Sequence, residues 1–376
     1  MHFNKKRIVF ISQLITQPRI HRRLQSLRDA GFELQVYATD RKRFQVNEFP
    51  EGIPLKNLGV FDDNYIKRIP KILSIIKEVR RAEKNNRIDG IYMFGFDSAI
   101  IGNSLGRKNA KKMYEISDLR FTKNQKSLMS KVFCFIEDRF IKNTDLLIMT
   151  SPWFLDEYKT RVKHIENITR IFENKLPQDF YTDNGRNISE REEGIIKIGF
   201  VGFIRYLNVI EPFMQEIAKK GDKFEFHLYG DGDEKDINTV KDYAKKHGNI
   251  IYHGPYKNPD ELEEVYHSID LTCSIYDSNH FNVKVLSPNK LFESIYFCSP
   301  IIVADNTRLG ERVNDWNVGF SVDVQSKQAV GEFLDNLSWE KVKEKRNSCL
   351  KYDPKNLVFD ENRFLTDVKN IFTEHE

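Results

Sequence analysis

Seven consecutive residues, Ser287-Pro288-Asn289-Lys290-Leu291-Phe292-Glu293, combine the parts of an anion site with a nearby carboxylate. Serine is a strong N-cap residue and proline suits the first helical position, so this string predicts a helix beginning at 288. The first backbone N–H groups of a helix have no partner inside it, and the helix dipole adds partial positive charge there. The amides of Asn289, Lys290 and Leu291 would then meet a phosphate-like group. Glu293, roughly one and a half turns further on, would accept hydrogen bonds from two vicinal hydroxyls such as those of a ribose. The plain alternative is a capped helix with a surface glutamate.

Two other strings bear on chemistry. Asp231-Gly232-Asp233 has the spacing of an Asp-x-Asp metal site, but it lies just after an apolar run, where Gly and Asp are ordinary turn residues. No metal is expected there. Tyr114-Glu115-Ile116-Ser117-Asp118-Leu119-Arg120 follows another apolar run, so Asp118 or Glu115 could orient a substrate hydroxyl or take its proton. The alternative is a salt-bridged loop. His21 is a weaker candidate.

The elements that would position these residues alternate between short β-type runs and segments of helical period, the pattern of parallel α/β sheets. In the first half, strands are expected at 8–12, 32–38, 90–94, 112–115 and 146–150, with helices at 20–30 and 99–108. Basic helical segments are expected at 65–87 and 125–142. The second of these places Leu128, Val132, Phe135, Ile136 and Phe140 on one stripe, which reads as a core-facing side. A basic amphipathic helix also suits an anionic membrane surface. A polar, proline-containing break over 176–195 reads as a linker between a first domain, 1–175, and a second, 196–355. The second repeats the order: strands at 196–201, 224–229, 250–253, 270–275 and 300–304, helices at 208–220, 235–247, 259–268 and 288–297. A last amphipathic helix within 356–376 either packs back toward the first domain or caps the second. Two such sheets are expected to face each other across a cleft.

The 376 residues have an ordinary globular composition and a net charge of +4. The charge is unevenly spread: residues 1–150 hold 29 Lys and Arg against 16 Asp and Glu, the remainder 30 against 39. That asymmetry points the first half toward an anionic partner. Its basic segments lack an aromatic stacking surface or a reader motif, so nucleic acid is not the expected partner. Four scattered cysteines form no Cys-x-x-Cys pair. With no signal-peptide core and no membrane-length apolar run, the expected location is the cytoplasm, or the inner face of the plasma membrane as a peripheral protein.

The 287–294 segment, with Cys298-Ser299-Pro300-Ile301-Ile302-Val303-Ala304 and Asn317-Val318-Gly319-Phe320 behind it, resembles the donor-site block of retaining glycosyltransferases. Their architecture is GT-B, two Rossmann-like domains. Within it the resemblance is to family 4, and there to bacterial enzymes of capsule, exopolysaccharide and O-antigen assembly. Three further segments fall in the family's order: Ile198-Gly199-Phe200-Val201-Gly202-Phe203-Ile204-Arg205, Phe226-His227-Leu228-Tyr229-Gly230-Asp231-Gly232, and His253-Gly254-Pro255-Tyr256. The resemblance covers nearly all of the second domain. In the first it is looser, at Pro18-Arg19-Ile20 and Gly31-Phe32-Glu33-Leu34.

The resemblance implies transfer of a hexose-type sugar from a nucleotide diphosphate-sugar to a growing, lipid-linked glycan, with no cofactor beyond that donor. The first domain would serve the acceptor, through Asp118 or Glu115. Glu293 would hold the donor ribose. The amides of Asn289, Lys290 and Leu291 would meet the diphosphate or sugar, with Ser287 beside them. Arg205 would neutralise the diphosphate, Gly202 would admit it closely, and Gly230 and Tyr256 would line the base pocket. In one respect the chain departs from the family. The first glutamate of its paired motif falls on Val285, so the contact it makes with the donor sugar is lost or replaced. Two other activities share the architecture: a nucleotide-sugar epimerase and a non-catalytic GT-B-like subunit.

Overall fold

A computed structural model describes residues 5–13, 17–40, 49–60, 65–119, 128–182, 186–188 and 193–373. The chain divides into two units, one of residues 1–172 with 360–376, the other of 173–359.

The first unit holds β1 (Arg7–Ser12), β2 (Glu33–Asp40), β3 (Leu55–Val60), β4 (Gly90–Phe94), β5 (Lys111–Ile116), β6 (Leu146–Met149) and β7 (Thr169–Ile171). All seven pair in parallel, in the order β3-β2-β1-β4-β5-β6-β7. Its central strands are continuous apolar runs such as Ile8-Val9-Phe10-Ile11, because helices cover both faces of a parallel sheet. The edge strands β3 and β7 escape a sequence reading. One is a half-exposed Leu-Lys-Asn-Leu-Gly-Val and the other only three residues long. The helix Glu361–Thr373 belongs to this unit: Phe372 packs near Phe32, and Phe364 meets Phe172 edge-on.

The second unit holds β8 (Ile196–Val201), β9 (Phe224–Tyr229), β10 (Ile250–Gly254), β11 (Leu271–Ser274), β12 (Ile301–Ala304) and β13 (Gly319–Val322), parallel in the order β10-β9-β8-β11-β12-β13. Residues 173–182, 186–188 and 193–195, within and beside the expected linker, group with this unit. Arg186, for example, donates to the carbonyls of Ile295 and Leu350 at 3.0 and 2.8 Å.

In each sheet the order of the strands reverses once, between β1 and β4 in the first unit and between β8 and β11 in the second. Ligands of such sheets bind outside the carboxyl ends of the strands at these reversals. The expected parallel-sheet architecture is therefore present in both units.

At Gly319, opening β13, a β-carbon would stand 1.9 Å from the Ile301 carbonyl oxygen of β12. That neighbour is main chain and cannot rotate away. Gly319→Ala should therefore lower stability by about 1–3 kcal/mol, seen as an earlier urea midpoint. An unchanged midpoint would mean that the β12–β13 pairing is slack.

Candidate functional site

In the second unit the loops leaving β8, β9 and β10 are laced side by side. The Gly202 N–H donates to the Tyr229 carbonyl at 2.7 Å, and the Gly230 N–H to the Gly254 carbonyl at 2.7 Å. Gly202 and Gly230 have φ of +115° and +145°, conformations that side chains disfavour. A β-carbon on Gly230 would fall 1.9 Å from the Gly202 oxygen, and one on Gly202 would fall 2.7 Å from Lys290 Nζ.

Lys290 is the second residue of the helix Asn289–Tyr296 and is only 8% exposed. Among the described residues it makes no hydrogen bond or ion pair. The ammonium is the end of that side chain that reaches solvent, beside Gly202, where it can meet an anion supplied from outside. The helix start that carries it differs from expectation. Pro288, not Ser287, occupies the N-cap position, and the helix begins at Asn289. Ser287 is buried and donates its hydroxyl to Glu173 Oε1 at 2.7 Å, an oxygen that also accepts from Arg312 at 2.6 Å. The Leu291 N–H donates to the Pro288 carbonyl at 3.2 Å, leaving the amides of Asn289 and Lys290 as the outward donors of this first turn.

Glu293 follows one turn later, buried, with Tyr266 donating to Oε2 at 2.8 Å and Asn289 Nδ2 donating to Oε1. Each oxygen keeps a further lone pair for a ligand hydroxyl. Burial, and then the Glu293 charge, push the phenols of Tyr256 and Tyr266 well up, so both remain proton donors. Tyr276 also raises both, and its ring lies 5.6 Å from the exposed Arg205 guanidinium, which covers Tyr206 at 5.3 Å as well. After β11, burial pushes the Asp277 carboxyl up. Hydrogen bonds from the Asn279 N–H, Asn208 and Gln325 outweigh it and hold the group below the ordinary range. Val285 ends the short helix Phe281–Val285 and is half-buried.

Tyr266, Asn174 and Asp277 were not singled out by sequence reasoning. Asn174 Nδ2 donates to the Ser287 carbonyl at 3.1 Å, while its buried Oδ1 has no partner among the described residues. Such roles have no local signature, since each depends on a residue far away in the chain.

In the first unit, Glu115 is fully buried near the end of β5. Tyr92 donates to its Oε2, Arg23 Nε donates to the same oxygen at 3.2 Å, and Arg19 Nη1 stands 3.9 Å from Oε1. Burial lowers the Arg19 pKa, and Glu115 and Asp118 counter it. Glu115 is thus committed to an ion cluster, the salt-bridged alternative. Asp118 is exposed and lines a cavity of about 90 Å³ with Gln13, Gln17, Phe94, Gly95 and Ser117, at the β1–β4 reversal. That volume suits a few waters or the hydroxyl end of a substrate. Arg120 lies outside the described residues. His21 is buried edge-on to Phe49 and away from solvent.

Asp231 Oδ1 accepts from the neighbouring Gly232 N–H at 2.8 Å, which is turn chemistry, and Asp233 stands at the N-cap position of the helix Glu234–Lys246 without a side-chain cap bond. Among the described residues no group of three or more His, Cys, Asp or Glu is arranged to hold a metal.

Residues 196–338 match the family model for glycosyl transferases group 1. The succinoglycan biosynthesis protein ExoL of Rhizobium meliloti (strain 1021) is 21% identical over 253 residues, which cover 66% of this chain and 63% of ExoL. The match thus spans less than two thirds of that relative. HepE of Anabaena, solved in complex with UDP and glucose, has a TM-score of 0.68 at 12% identity, covering 97% of this chain and 100% of HepE. WaaG, a glycosyltransferase involved in lipopolysaccharide biosynthesis, has a TM-score of 0.64 at 13% identity, covering 98% and 100%. The match to that family model thus lies within the second unit and takes in less than half of the chain, and the fold is that of GT-B structures.

Replacing Lys290 by methionine removes a charge that has no partner among the described residues and keeps the mostly buried stem. Lys290→Met should leave the thermal midpoint of the ligand-free protein unchanged or raise it. A clear fall would mean that the ammonium is held by an internal partner.

Proposed function

We propose that this chain is a glycosyltransferase that moves a hexose from a nucleoside diphosphate sugar to a growing, lipid-linked bacterial glycan, with retention at the anomeric carbon. The observation that carries this reading is Lys290, whose ammonium has no hydrogen-bond or ion-pair partner among the described residues and stands beside Gly202 at the end of β8. Exopolysaccharide assembly is supported by the ExoL match, and a uridine diphosphate donor by HepE, which holds UDP and glucose.

In this reading the donor diphosphate lies against the Asn289 and Lys290 amides and the Lys290 ammonium, with Gly202 admitting it closely. Arg205 supplies further positive charge. The leaving diphosphate gains negative charge as the glycosidic bond lengthens, so fixed cations and amide dipoles favour the transition state over the ground state. Glu293, oriented by Tyr266, binds the ribose hydroxyls, and Gly230 and Tyr256 flank the base. Asp118 orients the acceptor hydroxyl, which attacks the face that the diphosphate leaves, through an oxocarbenium-like state. No side chain is assigned as a covalent nucleophile. Val285 removes a carboxylate from the sugar subsite, and the Asn174 Oδ1 is the acceptor nearest in role. The lipid-linked acceptor places the protein peripherally on the inner face of the plasma membrane.

The test is thermal-shift binding of UDP, GDP, ADP and CMP to the chain and to Glu293→Ala. A ligand that binds only the folded state adds about 2.7 kcal/mol of stability at 100 times its dissociation constant. UDP should raise the midpoint, and Glu293→Ala and Lys290→Met should each lose most of that shift. No shift with any nucleotide in a folded sample would overturn the donor site. UDP binding without sugar transfer to any lipid-linked acceptor would instead favour a non-catalytic GT-B-like subunit.

A further inference from the structure

The helix Leu128–Lys142 of the first unit leaves most of an apolar stripe in solvent. Of the stripe expected to face the core, Ile136 and Phe140 are half-buried, Phe140 against Phe96, but Leu128 is 78% and Phe135 71% exposed, and Met129 and Val132 are exposed beside them. Residues 125–127, the start of the expected segment, lie outside the described residues. The side turned inward is Ser130, Cys134, Glu137 and Ile141. Glu137 explains this exposure. Its two carboxyl oxygens accept from Tyr114 of β5 and from Tyr158, each at 2.8 Å, and Arg161 lies 3.6 Å away. A buried carboxyl with that many partners costs too much to expose, so the helix cannot roll over to hide Phe135.

The helix Tyr65–Ala82 behaves similarly. It buries Ile72, Ile75 and Val79 but leaves Ile69 53% and Leu73 56% exposed. Both helices pack against the helix Phe96–Ser104 between them, so they lie on one side of the sheet. The same helices carry exposed cations: Lys131, Arg139 and Lys142 on one, Lys77 and Arg81 on the other. The acids of these two helices are otherwise engaged: Glu137 is buried, Asp138 pairs with Arg161 at 3.0 Å, and Glu78 with Lys56 at 2.8 Å.

We infer that these two helices form a docking surface for an anionic lipid bilayer, with Leu128, Val132, Phe135, Ile69 and Leu73 entering the interfacial layer and the lysines and arginines meeting lipid phosphates. Apolar insertion flanked by cations is the chemistry of an interfacial helix. Charge decides against a second copy of the chain as the occupant. A two-fold dimer sets the same patch against itself and brings like charges together. The inference deepens the membrane-side acceptor of the proposed function, but binding is read without any transfer reaction, so either can fail alone.

The test uses the full chain with vesicles of phosphatidylcholine alone and of phosphatidylcholine with phosphatidylglycerol, at low and high salt. The chain should sediment with the anionic vesicles, weakly with the neutral ones, and less at high salt. A Leu128→Ser/Phe135→Ser variant should bind roughly tenfold or more weakly, with an unchanged thermal midpoint because both residues are exposed. The inference is overturned by absence of binding to anionic vesicles, by equal binding to both compositions, or by equal binding of the variant. It is overturned too if light scattering shows a dimer that the variant converts to monomer.

Discussion

At the carboxyl ends of β8 and β9 two main chains pass so closely that no side chain fits between them. The Gly202 oxygen fills the space that a β-carbon on Gly230 would need, and the Lys290 ammonium crowds the space beside Gly202. This clearance follows from the sheet order, because β8 is flanked by β9 and β11 and the loops leaving β8 and β9 must share one exit. Everything assigned to the donor depends on it. The helix that begins at Asn289 leaves its first two amides without a main-chain partner, and its second residue brings a cation to Gly202. One turn further, Glu293 is held from both sides by Tyr266 and Asn289.

Much of this frame was legible in the residues. Ile196–Val201 declares itself as a mainly apolar run in a sheet covered on both faces, and Phe224–Tyr229 by its alternation of buried and half-buried residues. Edge strands do not, since half of their surface meets water. The cap at Ser287 misleads for another reason. Serine is a good cap only when its hydroxyl is unclaimed, and here Glu173, more than a hundred residues earlier, claims it. The stripe on Leu128–Lys142 has the correct period, but only Ile136 and Phe140 of it are partly covered. Periodicity says that a helix has two faces, and the partners of Glu137 decide which one is buried.

The two carboxylates after β5 show how burial sorts groups that look equivalent on paper. Glu115 and Asp118 are three residues apart, and local chemistry alone does not rank them. Arg19, Arg23 and Tyr92 surround Glu115, and the Arg23 guanidinium in turn covers the Phe364 ring at 4.5 Å. That carboxylate therefore fastens the first helix and the last helix to the same sheet. Asp118, at the surface of the small polar cavity, keeps access to a substrate.

The arginine–phenylalanine contact also bears on how the protein comes into being. Phe364 and Phe372 lie in a segment that follows the whole second unit in the chain, yet they pack against Arg23, Phe172 and Phe32. The second unit is in effect an insertion within the first. Its own core is complete once residue 359 has left the ribosome, whereas the first unit waits, with one flank of its sheet uncovered, for residues 361–373. On that account the domain begun first during synthesis is finished last, and it is the one that a holdase chaperone would shield in the meantime.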